Sequence, residues 1–268
     1  MKSIKILGLR VDNVNYDETI DLIQNFIKSR KPHQICTINP EFIMEAQKDE
    51  EFKYILNNSS LNVPDGGGLL FAAQFTKQKL NSIVHGMDLV DKITRLSVKK
   101  HYRIFLLGGE DGSGNKAKKI LEKKFPGINI VGAYEGFPIV KPISKKIWQK
   151  NYRIRRNMDL TKKTLIWPEN EKIIKKITSK RPDILLVAYG APKQDKFIAR
   201  YLQYLRVPVM IGVGGSFDYI SGKVHRAPLW MRNLHLEWLY RLILQPKKRF
   251  GRIITATIRF PWKVLTTK

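Results

Sequence analysis

Two short polar stretches stand where an enzyme would place its chemistry. One is Thr37-x-Asn39-x-Glu41, the other Pro64-Asp65-Gly66-Gly67-Gly68. Each follows an apolar run (Ile35 to Ile38, or Leu61 to Val63) of the kind that forms a strand of a parallel sheet. Ligands of open α/β sheets sit in the crevice beyond the carboxyl ends of such strands, so both loops aim polar groups at one place. Asp65 is the candidate catalytic base. General-base help from a well-placed side chain contributes about 10²- to 10⁴-fold. The same Asp-Gly pair is also ordinary turn chemistry, and local sequence alone does not separate the two readings.

Other loops with chemistry-bearing residues recur down the chain. Gly108-Gly109-Glu110-Asp111-Gly112-Ser113-Gly114 follows an apolar strand and precedes a Lys-rich helix, a grammar that suits phosphate. Its spacing matches neither the dinucleotide nor the Walker A pattern, so a tight glycine turn is as good an account. Tyr189-Gly190-Ala191-Pro192-Lys193-Gln194 follows another strand, with Pro192 placed for a first helical turn. Val213-Gly214-Gly215-Ser216-Phe217-Asp218 follows a further one.

The elements that position these loops are legible from periodicity. Strands are expected over 2–11, 35–38, 61–64, 102–107, 129–133, 183–188 and 207–213. Helices alternate with them. One spans 16–30, capped by Asn15, with Ile20, Ile23 and Ile27 facing inward. Another opens at Pro40 and carries Phe42, Ile43, Ala46, Phe52 and Ile55. This alternation predicts a single Rossmann-like, doubly wound, mostly parallel sheet over 1–245. Two stretches break the pattern. Residues 138–170 form a basic insertion with interleaved Trp148, Tyr152 and Trp167, expected to be a solvated surface excursion. Residues 246–268 form a basic, amphipathic appendage that carries Lys247, Lys248, Arg249 and Arg252 among apolar residues and no acid. That composition fits an anionic membrane surface. Just before it, Trp230, Leu234, Trp238 and Leu242 step by four, which predicts one apolar helix stripe packed on the sheet.

Bulk properties narrow the function classes. The 268-residue chain has a formal net charge of +26, from 49 Lys and Arg against 23 Asp and Glu. Such a surplus implies a polyanionic partner: nucleic acid, anionic lipid or a phosphate-bearing substrate. A lone cysteine, Cys36, argues against a disulfide framework and fits a reducing compartment. No signal segment is visible, and no run of about 18 apolar residues would span a bilayer.

Read together, the motifs resemble the WecG/TagA/CpsF family of bacterial glycosyltransferases. The residues that carry the likeness are Thr37-x-Asn39-x-Glu41, Asp65-Gly66-x-Gly68, Gly86-x-Asp88-Leu89, Phe105-Leu106-Leu107-Gly108-Gly109, Gly190-x-Pro192-x-Gln194, Gly212-Val213-Gly214-x-x-Phe217-Asp218, and Arg226-Ala227-Pro228 with Glu237-Trp238-x-x-Arg241. The resemblance implies transfer of a sugar, N-acetylmannosamine or a relative, from a UDP-sugar donor to a polyprenyl-diphosphate-linked sugar acceptor, with inversion. It implies no cofactor and no metal; no two aspartates here are spaced Asp-x-Asp. It implies a cytoplasmic protein, peripheral on the inner face of the plasma membrane. Asp65 matches the family's proposed general base, and Thr37 and Gln194 match catalytic polar residues beside it. Substrate binding falls to Asn39, Gly66, Lys193, Val213, Gly214 and Asp218, with Arg241, Lys248 and Arg249 facing the leaving diphosphate. Ile83 stands where relatives carry an arginine, and the basic insertion is a second departure. The readings set against this one are a basic nucleic-acid-binding α/β protein, for which no recognised binding motif is present, and a dinucleotide-dependent oxidoreductase, for which no loop has the fingerprint spacing. A homo-oligomer stays open.

Overall fold

The structure is a computed structural model describing residues 2–76, 79–136, 138, 140, 168–234 and 236–267. The chain begins with β1 (Ser3–Ile6) and β2 (Leu9–Asp12), which pair antiparallel across Leu7 and Gly8. Both turn residues have positive φ (48° and 78°), the geometry of a two-residue hairpin loop. The single first strand expected over 2–11 is therefore a hairpin outside the main sheet. A leucine in the left-handed region gives no turn signal in the sequence, which is why the reversal was not legible.

After α1 (Tyr16–Ser29), fastened by an Asn15/Glu18 capping box, the chain runs β3 (His33–Ile38), α2 (Pro40–Ala46), α3 (Glu50–Asn58) and β4 (Leu61–Pro64). The one helix expected from Pro40 is two. The Asp49 side chain accepts from the Phe52 N–H and starts a second N-terminus. Next come α4 (Gly68–Ala73), α5 (Gly86–Lys100), β5 (Arg103–Gly108), α6 (Ser113–Lys124) and β6 (Asn129–Tyr134). Past the insertion, of which residues 141–167 lie outside the described residues, follow α7 (Pro168–Thr178), β7 (Ile184–Ala188), α8 (Lys193–Leu205), β8 (Val209–Gly212) and α9 (Ser216–Ile220).

Strands β3 to β8 form one all-parallel sheet in the order β4-β3-β8-β7-β5-β6, the doubly wound arrangement expected. Its central strands are buried on both faces, so they read as unbroken apolar runs rather than as alternation. Helices α1, α5, α6 and α9 pack on one face through Ile23, Ile27, Leu89, Ile93, Ala117 and Phe217. Helices α7 and α8 cover the other through Ile173, Ile177, Phe197, Ile198 and Tyr201. The α3 carboxylate of Glu51 locks onto α8 by ion pairs to Arg200 (2.7 Å) and Lys196 (3.1 Å).

The C-terminal part is α10 (Leu229–Asn233), α11 (Glu237–Leu244), α12 (Pro246–Ile254), a π-helical turn Thr255–Arg259 and α13 (Phe260–Thr266). The step-of-four stripe is not one helix on the sheet. It is split between α10, which ends at Asn233, and α11, which begins at Glu237, and Trp230 and Leu234 are 60% and 62% exposed. Helical spacing is necessary for such a stripe but gives no helix without the intervening backbone. Beyond Pro246, Ile253, Phe260 and Val264 are buried; Phe260 and Val264 pack in a cluster with the hairpin and α2 to α4, while Phe250, Ile258, Trp262 and Leu265 face outward.

A buried acid, Asp195, lies on α8 where that helix packs over β3. Burial pushes the Asp195 carboxyl up to about 7, with the Cys36 thiol and the local backbone pulling it back. An unfolded aspartate loses its proton near 3.9, so the folded state binds more protons between the two values and stability falls as pH rises through that window. The Asp195→Asn variant removes this liability. Thermal unfolding is expected to show its Tm rising relative to wild type by several degrees between about pH 5 and about pH 8. A Tm difference independent of pH would contradict the assignment.

Candidate active site

Strands β3 and β8 are neighbours, yet the chain leaves β3 for α2 and α3 and leaves β8 for α9, on the opposite face. That divergence opens a crevice at their carboxyl ends, where α/β proteins bind ligands. Two cavities meet there. One, about 140 Å³, is lined by Thr37, Asn39, Asp65, the Gly190–Ala191 turn, Gln194 and residues 211–216. The other, about 540 Å³, is lined by Asp65, Gly66, His85, Leu70, Trp238 and the α12 residues Arg249 and Ile253, among others. Asp65, Asn39, Gly86, Arg241 and Arg249 border both.

Each side chain is positioned by an identifiable local device. The Asp65 N–H donates to the Ile38 carbonyl (2.6 Å), which ties the loop after β4 to the loop after β3. Gly66 then turns with φ of 99°, a conformation that only glycine adopts readily. The Asp65 Oδ1 pairs with His85 Nδ1 at 3.3 Å. Thr37 is nearly buried beside it, and Asn39 spends its side-chain oxygen on the Phe42 N–H, capping α2. Gln194 is buried and its Oε1 accepts from the Gly214 N–H at 2.9 Å. Gly212 has to lack a side chain for this, because a Cβ there would stand 2.4 Å from Gln194 Nε2. Gln194 thus holds the turn after β8 in place.

Cations crowd the roof of the smaller cavity. Arg241, Arg249 and Arg252 all border it. The Arg241 guanidinium stacks over Tyr219, 4.7 Å from the ring centroid, and pairs with Glu237. Arg252 pairs with Glu41 at 2.6 Å. Burial, then the neighbouring Arg241 and Arg252, press the Arg249 pKa downward, the signature of positive charge gathered without an equal number of acids. A second network braces the entrance to α5. The Tyr16 hydroxyl accepts from the His85 main-chain N–H (2.9 Å) and reaches Asp88 Oδ2 (3.5 Å). Arg226 closes on Asp88 Oδ1 at 2.6 Å. Burial works against the charge on Asp88, but Arg226 holds its carboxyl below the usual range.

Of the residues picked out from sequence, the structure gathers Asp65, Thr37, Asn39, Gly66, Gln194, Val213, Gly214, Arg241 and Arg249 around the two cavities. Lys193 is exposed and borders neither, and Asp218 sits one turn into α9, outside both linings. The Lys248 side chain lies outside the described residues. The Gly108–Gly114 loop also borders neither cavity; Gly108, Gly109 and Gly112 all take positive φ, the backbone that glycine allows. Sequence reasoning missed His85 and Arg252. Arg252 follows Arg249 by three residues on one helix, a signal that was present. His85 belongs to no spacing pattern.

The chain is similar to known proteins over nearly its whole length. Residues 4–268 match the family described as Glycosyl transferase WecG/TagA/CpsF family. An N-acetylglucosaminyldiphosphoundecaprenol N-acetyl-beta-D-mannosaminyltransferase of Bacillus subtilis (strain 168) is 33% identical over 247 residues, covering 92% of this chain and 85% of the relative. The enzyme of the same name from Staphylococcus aureus (strain MRSA252) is 28% identical over 267 residues, covering 99% and 93%. With the motifs in order along a doubly wound sheet and the match running nearly end to end, the chain belongs to the WecG/TagA/CpsF family of glycosyltransferases.

Proposed function

We propose that the protein moves an N-acetylmannosamine-like sugar from UDP to an undecaprenyl-diphosphate-linked sugar, with inversion, in cell-surface polysaccharide or teichoic-acid synthesis. The observation that carries this reading is the place of Asp65, on the shared border of a small polar cavity and a larger, mostly apolar one. At about 140 Å³ the small cavity is too small for a whole nucleotide sugar and suits one part of it, the rest of the donor continuing out along the crevice. Its floor is the turn after β8, and its roof supplies arginines. The large one, walled by Leu70, Phe71, Leu236, Trp238, Ile253 and Pro261, suits the first units of a polyprenyl acceptor with its diphosphate and sugar.

In the transfer, the acceptor hydroxyl attacks the anomeric carbon as its proton passes to the Asp65 carboxylate. The bond from that carbon to the UDP oxygen breaks, and UDP leaves with the electron pair. Attack from the face opposite the leaving group inverts the centre. Negative charge grows on the departing diphosphate, and Arg241 and Arg249 are the groups placed to offset it in a shielded site, with Lys248 on the same helix. Thr37 and Gln194 shape the pocket beside the base, Asn39 and Gly66 fix the loops that carry it, and the Val213 and Gly214 backbone meets the nucleotide. The Asp218 carboxylate lies against Gly215 in the same turn and is the group assigned to accept from the uracil N3–H. Lys193 attracts the polyanionic donor from the rim.

The acceptor lies in a membrane, and the outer surface of the C-terminal helices is built to meet one. No described helix is long and apolar enough to cross a bilayer. Exposed Ile243, Phe250, Ile258, Trp262 and Leu265 lie among lysines and arginines instead, which suits an interfacial position on the inner, anionic leaflet.

Two measurements check these readings. Asp65→Asn is expected to lower turnover of a UDP-sugar on a soluble lipid-diphosphate-sugar analogue by about 10²- to 10⁴-fold while UDP binding persists; near-normal turnover would remove the base assignment. Truncating the tail would cut into the buried Phe260 and Val264, so the membrane reading calls for surface changes. Trp262→Glu with Leu265→Glu is expected to reduce sedimentation with phosphatidylglycerol vesicles at least several-fold, whereas unchanged sedimentation would defeat it.

A further inference from the structure

His85 occupies the position before α5 where Ser, Thr, Asp or Asn would ordinarily cap the helix. Its imidazole caps nothing. It turns the other way, and Nδ1 lies 3.3 Å from Asp65 Oδ1. The backbone that carries it is itself anchored. The His85 N–H donates to the Tyr16 hydroxyl at 2.9 Å, and Tyr16 leads through Asp88 to Arg226, which joins α1, α5 and the segment before α10. The other carboxylate oxygen, Asp65 Oδ2, lies over Gly86, 3.5 Å from where a Cβ would stand, and that same point is 3.7 Å from Thr37 Cγ2. One oxygen is thus paired with His85, and the other lies over Gly86, where Thr37 also approaches. Asp65 and His85 are each about one-quarter exposed, so the pair faces the cavity rather than the core.

We propose that His85 is a positioning residue for the transfer reaction, its Nδ1–H gripping Asp65 Oδ1 so that Oδ2 meets the proton of the acceptor hydroxyl. The inference rests on Asp65 acting as the base. A carboxylate free to rotate about its last bond spends most of its time misaimed, and a misplacement of about 1 Å at a reacting group can lower rate by about 10²-fold. The charged groups around the imidazole are consistent with a held pair. The Asp65 carboxylate raises the His85 pKa against the effect of burial, and Asp88 on α5 and Glu237 on α11 add to it. Tyr16 from α1 contributes a neutral hydroxyl at the main chain, and Arg226 is occupied by Asp88.

The test uses the full-length chain with UDP-N-acetylmannosamine and a soluble lipid-diphosphate-sugar analogue, and compares His85→Ala, His85→Asn and Asp65→Asn. An asparagine amide nitrogen stands close to where Nδ1 stands and can donate the same bond. His85→Ala is expected to lower kcat by about 10- to 100-fold, with KM for the donor and Tm little changed. His85→Asn is expected to recover kcat to within a few-fold of wild type. His85→Ala at wild-type kcat, or His85→Asn as slow as His85→Ala, would overturn the proposal. A readout that needs no substrate separates its failure from that of the base assignment. In wild type, NMR titration of the His85 ring is expected to give a pKa above its ordinary 6.5, falling in Asp65→Asn. An unshifted ring would show that the grip does not exist in solution. Normal turnover by Asp65→Asn would instead strike the base assignment itself.

Discussion

The structure depends on one topological constraint: β3 and β8 lie side by side but send the chain to opposite faces of the sheet. No helix can cover the carboxyl ends of both strands, so a crevice opens there without any residue having to hold it open. The loops after β3, β4, β7 and β8 all reach its edges. A single hydrogen bond between the Asp65 N–H and the Ile38 carbonyl fixes the relative height of two of them. Gln194 does the same for a third by accepting from the Gly214 N–H. The rigidity of the sheet, whose central strands are buried throughout, is passed to the site through these two ties, one between main-chain groups and one from the buried Gln194 side chain to the main chain.

Charge completes what topology begins. Arg241, Arg249 and Arg252 converge on the crevice from the C-terminal helices, and the acids beside them, Glu237 and Glu41, pair with only part of that charge. Burial first, and then Arg241 and Arg252, press the Arg249 pKa downward, so its charge is held there at a cost. An anionic ligand would relieve it. The apolar contacts that fix this roof are few and specific: Phe260 and Val264 lock α13 into the hairpin and α2 to α4 cluster, and Ile253 anchors α12. The outward face of the same segment keeps Phe250, Ile258, Trp262 and Leu265 exposed, so one stretch of chain roofs the cavity on one side and shows apolar side chains on the other.

How much of this was legible in the sequence follows from where the forces are local. The parallel strands were, because burial on both faces forces unbroken apolar runs such as Ile184 to Ala188. The meeting of Asp65, Thr37 and Gln194 at one crevice was, because the loops that carry them follow neighbouring parallel strands. The hairpin at Leu7 was not, since a leucine with positive φ is set by tertiary packing and carries no turn signature. The stripe from Trp230 to Leu242 misled because spacing alone does not report that one helix ends at Asn233 and another begins at Glu237. His85 was invisible because its meaning comes from a contact with a residue 20 positions away. Lys193, read as a ligand from its motif, borders neither cavity.

The central claim is that the crevice between β3 and β8 holds the nucleotide with its diphosphate beneath the C-terminal arginines. A crystal structure with UDP bound tests this most directly. The account predicts the uridine along residues 213–216 and diphosphate oxygens within about 3.2 Å of Arg241 or Arg249, with the position of the lost sugar facing Asp65. UDP seated instead on the Gly108–Gly114 turn, or with its diphosphate directed away from Asp65 and the arginines, would contradict it.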